Sequence, residues 1–180
     1  MLKRFTPHFI AIAVFATLTF IYFMPNFQGM ILRQGDIIQW KAMSEEILDW
    51  NKKHPSDPAL WTSRTFSGMP SAQISLVYPG NLVSKFMMGV NSIFPDVSSL
   101  VFLHFIGFYV LLLCFGVSQW LAIAGAVAFG LSSFTLISIE AGHNTKVQAM
   151  ALMAPVLGGV LLSLIHISEP TRLRRISYAV

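Results

Sequence analysis

The sequence carries little charge for its length. Its 180 residues include 12 basic and 8 acidic side chains, so only 11% are charged, whereas a soluble domain carries about 25%. Apolar residues make up 54% of the chain, and the mean hydropathy is +0.64. Because so few charges cannot cover a water-exposed surface, the composition excludes an ordinary soluble fold and predicts a membrane protein.

Cysteine and clustered basic charge are scarce as well. Cys114 is the only cysteine and lies in an apolar run, which excludes a disulfide framework and a cysteine-based metal site. The formal net charge is +4, but the basic residues form neither a cluster nor a pattern interleaved with aromatic residues. The sequence therefore predicts no nucleic-acid partner.

Charge is missing altogether from two long windows, residues 5–32 and 97–139. A membrane-spanning helix needs about 20 apolar residues, so the first window has room for one helix and the second for two. A turn at residues 116–119 separates those two, and a fourth apolar run begins further on. These features predict an all-α polytopic membrane protein with spans at residues 1–24, 98–115, 120–137 and from Val147 onward.

The first span is predicted to stay in the mature protein. Lys3 and Arg4 precede it, as in a signal peptide, but no pair of small residues follows it as a cleavage site. The two basic residues place the N-terminus in the cytoplasm by the positive-inside rule. Residues 25–96 then form a large extracytoplasmic loop, in which the residue pattern predicts amphipathic helices at 36–50 and 81–93. Their predicted apolar faces consist of Ile37, Trp40, Met43, Ile47 and Trp50 in the first helix and of Leu82, Phe86, Val90 and Ile93 in the second.

The end of the sequence differs in kind from the rest. Residues 162–172 (LSLIHISEPTR) match the in-frame translation of the transposase adapter used in sequencing-library preparation. We therefore expect residues 162–180 to be an artefact of cloning or assembly, and the natural reading frame to depart at about Leu162. On this interpretation, residues 97–161 hold spans two to four, with the fourth truncated, and the chain is the N-terminal fragment of a longer protein.

Four motifs follow one another along the chain: residues 34–40 (QGDIIQW), 61–70 (WTSRTFSGMP), 78–82 (YPGNL) and 140–146 (EAGHNTK). In this combination the chain resembles the YfhO family of bacterial membrane proteins, in the version found in Bacteroidetes-type bacteria, over nearly all of residues 1–160. The resemblance implies the polytopic C-type glycosyltransferase (GT-C) fold. This chain would be the N-terminal part of its helical bundle, with a large first outer loop that carries an acidic residue.

The same resemblance implies a function at the bacterial cell envelope. GT-C proteins use polyprenyl-phosphate-linked sugars as donors, so the implied reaction is sugar transfer to an envelope glycan or polymer. It would take place among membrane lipids, at the outer face of the cytoplasmic (inner) membrane. The alternative is a non-catalytic transporter or assembly factor for envelope polymers. A transporter is expected to carry charged or Gly/Pro-broken helices at the midplane, and the absence of acidic residues from the charge-free windows favours the enzyme.

Asp36 is the first candidate catalytic residue. Sugar transfer from a lipid phosphate needs a carboxylate that takes the acceptor's proton and a cation that stabilises the departing phosphate. Asp36 stands where the chain leaves the first span, and the family resemblance aligns it with the GT-C acid. The alternative is that Asp36 caps a helix, because Gln39 follows it at the spacing of a capping box. The two interpretations are compatible.

A second polar cluster, residues 140–146, lies between two predicted spans. Glu140, His143 and Asn144 are spaced i, i+3 and i+4, which places them on one face of a helical turn. We predict Glu140 as an acid or metal ligand, and Asn144, His143 and Lys146 as substrate-binding residues, the last two through a phosphate. The alternative is a hydrated loop with a helix cap. One Glu and one His are too few ligands to predict a metal site. The sequence therefore leaves open whether a divalent cation acts as a cofactor.

The outer loop supplies two further candidates for substrate binding. Arg64 can bind a phosphate through paired hydrogen bonds, although an arginine near the interface more commonly anchors lipid head groups. Trp61 can stack on the face of a pyranose, although packing is the commoner role of such a tryptophan. The sequence predicts both as binding residues.

Overall fold

The computed structural model describes the backbone of residues 2–75 and 80–176 and the side chains of residues 5–75 and 80–164. This part of the chain is predominantly helical. It contains α1 (Leu2–Tyr22), α2 (Met24–Phe27), α3 (Gly35–Lys53), β1 (Trp61–Thr62), β2 (Met69–Pro70), a 3-10 turn (Ser71–Gln73), α4 (Leu82–Ile93), α5 (Ser98–Cys114), α6 (Gln119–Gly130), α7 (Ser133–Ala141) and α8 (Asn144–Ile176). The predicted helical class is confirmed, apart from the short antiparallel pair of β1 and β2.

Two helices are long and apolar enough to cross a membrane, Phe5–Tyr22 within α1 and Asn144–Leu164 within α8. Two more spans result if each bent pair of helices forms one: α4 with α5, at an angle of 111°, and α6 with α7, at 40°. α5 alone has 17 residues and is about 25 Å long, slightly short of a bilayer core of about 30 Å. The helix predicted at residues 98–115 is confirmed to within one residue, and the described chain holds two to four candidate spans.

The predicted third helix, residues 120–137, is in fact two helices. Between α6 and α7 the Ser132 hydroxyl accepts a hydrogen bond from the amide of Thr135 (3.4 Å) and caps the start of α7. α7 is tilted by 40° from α6 and continues beyond the predicted end. The prediction of one continuous helix is wrong because a local N-cap starts a new helix in the middle of the apolar run.

The helices pack as a small bundle around α5. Phe15 of α1 stacks on Phe105 of α5, with ring centres 5.4 Å apart, and both α1 and α6 run antiparallel to α5. α8 runs parallel to α5 and in close contact with it. The contact is possible because Gly107 has no side chain, and a Cβ there would clash with the carbonyl oxygen of Ala151. Successive candidate spans thus alternate in direction. As a result, the end of α1, the end of α7 and the start of α8 lie at the same end of the bundle.

α3 confirms the helix predicted at residues 36–50 and extends it at both ends. Ile47, on the predicted apolar face, is fully buried. Trp40 and Trp50, on the same face, are exposed at the surface instead, and their indole N–H groups donate to loop carbonyl oxygens, each at 2.9 Å. Ile47 is not part of the hydrophobic cluster of the helix bundle, and the two tryptophans of the predicted apolar face bond to the loop that folds back along α3.

The hairpin formed by β1 and β2 is tied to α3 through Glu46. The carboxylate accepts hydrogen bonds from the Thr62 hydroxyl (2.6 Å) and from the amide of Ser63 (3.2 Å). The bond from Thr62 is the main cause that holds the pKa of Glu46 below its ordinary value of 4.5, because it stabilises the charged carboxylate. The loop is thus held to α3 by charge-assisted hydrogen bonds.

α4 confirms the helix predicted at residues 81–93. The Asn81 side chain caps it by accepting hydrogen bonds from two amides of the first turn, at 2.9 and 3.2 Å. Most of its predicted apolar face is exposed, namely Leu82, Phe86 and Ile93. The motif at residues 78–82 begins with Tyr78 and Pro79, which lie outside the described residues.

α8 continues without a break through residue 162 to Ile176. The fourth helix therefore does not end at residue 161, where the sequence predicts that it is truncated. A helical backbone does not distinguish natural residues from adapter-encoded ones. The adapter boundary thus stays a prediction.

Candidate functional site

Asp36 and His143 form a direct pair, although they lie on different elements. Asp36 is in the first turn of α3, and His143 lies in the two-residue connection between α7 and α8. His143 Nε2 is 2.8 Å from Asp36 Oδ2, and both side chains are about half exposed. Since the carboxylate can only accept, Nε2 carries the hydrogen. Among the described residues, Oδ1 of Asp36 and Nδ1 of His143 have no hydrogen-bond partner.

The turn at Gly142 brings this pair together. Gly142 adopts a left-handed conformation (φ 101°) and ends α7. A Cβ at this position would lie 3.1 Å from both the Asp36 Cβ and the Ile37 amide nitrogen, and 3.3 Å from the Gln34 Cβ. Glycine is therefore required twice, for the positive φ and for the close approach of α3. Without that approach, His143 would not reach Asp36.

Gln34 begins the motif at residues 34–40, but the sequence patterns do not indicate it as a site residue. It is buried and occupies the N-cap position of α3. Its amide nitrogen donates to Asn144 Oδ1 (2.9 Å) and to the carbonyl oxygen of Ile139, and Asn144 donates back to Gln34 Oε1 (3.1 Å). These bonds join α3, α7 and α8. Asn144 thus supports the position of the pair, and it also lines the pocket beside the pair, so its predicted contact with a substrate stays a prediction.

Lys146 contributes a basic side chain to the pocket that the pair lines. A pocket of about 560 Å³ is lined by Asp36, His143, Asn144 and Lys146, together with Trp40. Lys146 Nζ lies 4.6 Å from the centre of the Phe134 ring, which holds the ammonium by a cation–π contact. Among the described residues no carboxylate forms an ion pair with Lys146. The pocket therefore combines a carboxylate, an imidazole and an uncompensated cation.

Two interpretations of the acidic residues are wrong. The N-cap of α3 is Gln34, and Asp36 lies two residues further on, within the first turn of the helix, so Asp36 is not the N-cap residue. Glu140 does not share a helical face with His143 and Asn144, because the left-handed turn at Gly142 separates α7 from α8. Glu140 lines a different pocket, next to the end of α1.

Arg64 and Trp61 are also placed away from the pair. Arg64 Nη1 lies 2.9 Å from Oε2 of Glu45 on α3. Glu45 is nine residues after Asp36, or about 13 Å further along the helix. Trp61 packs over Gly68 and lines a separate pocket near Trp50. Contact of Arg64 and Trp61 with a substrate thus stays a prediction, and the two do not join the Asp36 pocket.

Among the described residues there is no group of three or more His, Cys, Asp or Glu side chains that could hold a metal ion. Comparison with protein-family models, with curated proteins and with solved structures found no match to this chain. The resemblance to the YfhO family and the roles that it implies therefore stay predictions. What defines the candidate site is its geometry: the Asp36–His143 pair, the Gly142 turn and Lys146.

Proposed function

We propose that this chain is the N-terminal part of a multi-pass protein of the bacterial cytoplasmic membrane that transfers a sugar from a polyprenyl-phosphate donor to an envelope glycan or polymer. The observation that carries the proposal is the 2.8 Å pair of Asp36 and His143, which lines one pocket together with Lys146. The resemblance to the YfhO family supplies the class of reaction. The N-terminus lies in the cytoplasm, and the site lies at the outer surface.

The position of the pocket suits a reaction between a lipid and a water-borne acceptor. The candidate span of α8 begins at Asn144, which lines the pocket, and α3 leads from the pocket into the polar outer loop. A phosphate at the level of the lipid head groups and a hydroxyl in water can therefore both reach the same side chains.

In the proposed reaction, each polar side chain of the pocket has its own role. Oδ1 of Asp36 takes the proton of the acceptor hydroxyl while the acceptor oxygen bonds to the anomeric carbon. The bond between that carbon and the phosphate oxygen breaks, and its electron pair leaves with the phosphate. Lys146 and His143 offset the negative charge on the phosphate. His143 also fixes the orientation of the Asp36 carboxylate.

Asp36→Asn tests the proposal in the full-length protein, reconstituted with a polyprenyl-phosphate sugar. The asparagine oxygen still accepts the hydrogen bond from His143, but the base is gone, so transfer should fall roughly 100-fold or more. The matched control is Asp49→Asn on the same helix, where the carboxylate is exposed and lies 3.8 Å from Lys52. The control should transfer like the parent. An Asp36→Asn protein with the parental rate would contradict the catalytic role.

The transporter or assembly-factor alternative draws on one observation, the break between α6 and α7. Transporters commonly build substrate sites from discontinuous helices near the midplane, and the break at Ser132 interrupts an apolar pair that is bent by 40°. No charged side chain lies within either helix before Glu140. Uptake of a lipid-linked glycan into vesicles without any sugar transfer would favour this alternative.

A further inference from the structure

Glu140 is a carboxylate in an unfavourable place. It lies in the last turn of α7, where the helix dipole presents its negative end and disfavours a second negative charge. The ion pairs among the described residues do not include it. Glu140 is exposed, so this cost is small, and the carboxylate is accessible to a ligand from outside the chain. A cation from outside the chain would relieve the repulsion.

The surroundings of Glu140 indicate what kind of molecule carries that cation. Glu140 lines a pocket of about 400 Å³ whose other lining residues carry no charge, among them Phe23, Met30 and Leu136. The candidate span of α1 ends at Tyr22, which also lines the pocket, so the pocket lies at the level of the lipid head groups. Exposed apolar side chains form part of its lining, as expected for a pocket that opens toward lipid chains: Tyr22, Ile31 and Ile137.

We propose that this pocket binds a membrane lipid with a primary ammonium head group, of the phosphatidylethanolamine type. The ammonium group donates charge-assisted hydrogen bonds to the Glu140 carboxylate, and the glycerol end of the acyl chains lies on the apolar wall. An anionic lipid would be repelled by Glu140, and a choline head group has no N–H to donate. Both would bind more weakly.

The pocket is separate from the Asp36–His143 site. The two pockets share no lining residue, and Gln34 is bonded to the carbonyl oxygen of Ile139, which lines the Glu140 pocket. The inference rests on the membrane location in the proposed function but not on sugar transfer. Binding can therefore be measured without any sugar donor, and its outcome is independent of the catalytic claim.

Native mass spectrometry of the delipidated full chain tests the inference. Phosphatidylethanolamine, phosphatidylcholine and phosphatidylglycerol with identical acyl chains are added in turn. The parent should bind phosphatidylethanolamine most tightly, and Glu140→Gln should weaken that binding roughly tenfold or more. Asp49→Asn removes the same charge elsewhere on the surface and should leave lipid binding unchanged.

A second variant separates the charge from the shape of the pocket. Leu136→Trp fills the pocket without changing its charge and should weaken binding of phosphatidylethanolamine as well. If Glu140→Gln binds this lipid like the parent, or if the parent binds all three lipids equally, the ammonium site does not exist. If only Leu136→Trp weakens binding, the pocket takes acyl chains alone and the proposal is wrong.

Discussion

Replacing Gly142 by alanine tests whether the close contact at this turn determines the position of α3. Two costs are expected. An alanine held at φ 101° pays about 1–2 kcal/mol for the left-handed conformation. Its Cβ would also lie 3.1 Å from the Asp36 Cβ and from the Ile37 amide nitrogen, where ordinary contact begins at 3.4 Å. Overpacking of this kind typically costs about 1–3 kcal/mol.

Gly116 is a matched control for the first of these costs. It also has a positive φ, 76°, but nothing lies within 4 Å of a Cβ built there. Gly116→Ala should therefore destabilise the protein by about 1–2 kcal/mol. Gly142→Ala should cost about 2–5 kcal/mol, the conformational cost together with the cost of the close contact.

The free energy of unfolding can be measured for both variants in mixed micelles with increasing dodecyl sulfate, followed by far-UV circular dichroism. Gly142→Ala should also lower sugar transfer, because α3 must move a few tenths of an ångström away from His143. Equal destabilisation by the two alanines would refute the reasoning. It would mean that α3 does not rest on the Gly142 turn.

Two further predictions concern the membrane topology and the outer loop. With Cys114 replaced, a cysteine at Ser56 should react with a membrane-impermeant maleimide added from outside and one at Ser118 should not; the reverse labelling would invert the topology. Because the folded state lowers the pKa of Glu46, the loop contact stabilises the protein above the ordinary value of 4.5 and is lost as the pH falls through the lowered pKa. Hydrogen exchange at the hairpin amides, corrected for intrinsic rates, should therefore accelerate below pH 4.5, and Thr62→Val should abolish most of this pH dependence. A variant with the parental pH profile would contradict the role of this hydrogen bond.

Local spacing predicts most of the helices in this chain. The apolar pattern at residues 36–50 is enough to predict α3, because one face must be buried whatever it packs against. The charge-free window before the turn at Gly116 predicts α5 to within one residue. Hydropathy alone does not predict the break between α6 and α7, because the N-cap residue Ser132 lies inside an apolar run.

The candidate site is harder to predict because its contacts join distant parts of the chain. No spacing rule relates Asp36 to His143, and the partner of Gln34 at the start of α3 is Asn144 at the start of α8. Gly142 does carry a usable signal, since a glycine after an apolar helix is a common C-cap. A C-cap at Gly142 places Glu140 on a different helix from His143 and Asn144. The i, i+3, i+4 spacing alone places all three on one helical face.

A double-mutant cycle on sugar transfer tests the central claim most directly. Asp36→Asn, His143→Gln and the double variant are compared with the parent by kcat/KM, in the full-length protein reconstituted with a polyprenyl-phosphate sugar. If the two side chains act as one unit, each single variant should lose roughly 100-fold, and the double variant should lose little more than either single one. Losses that multiply in the double variant, or single variants that transfer at the parental rate, would contradict a catalytic Asp36–His143 pair.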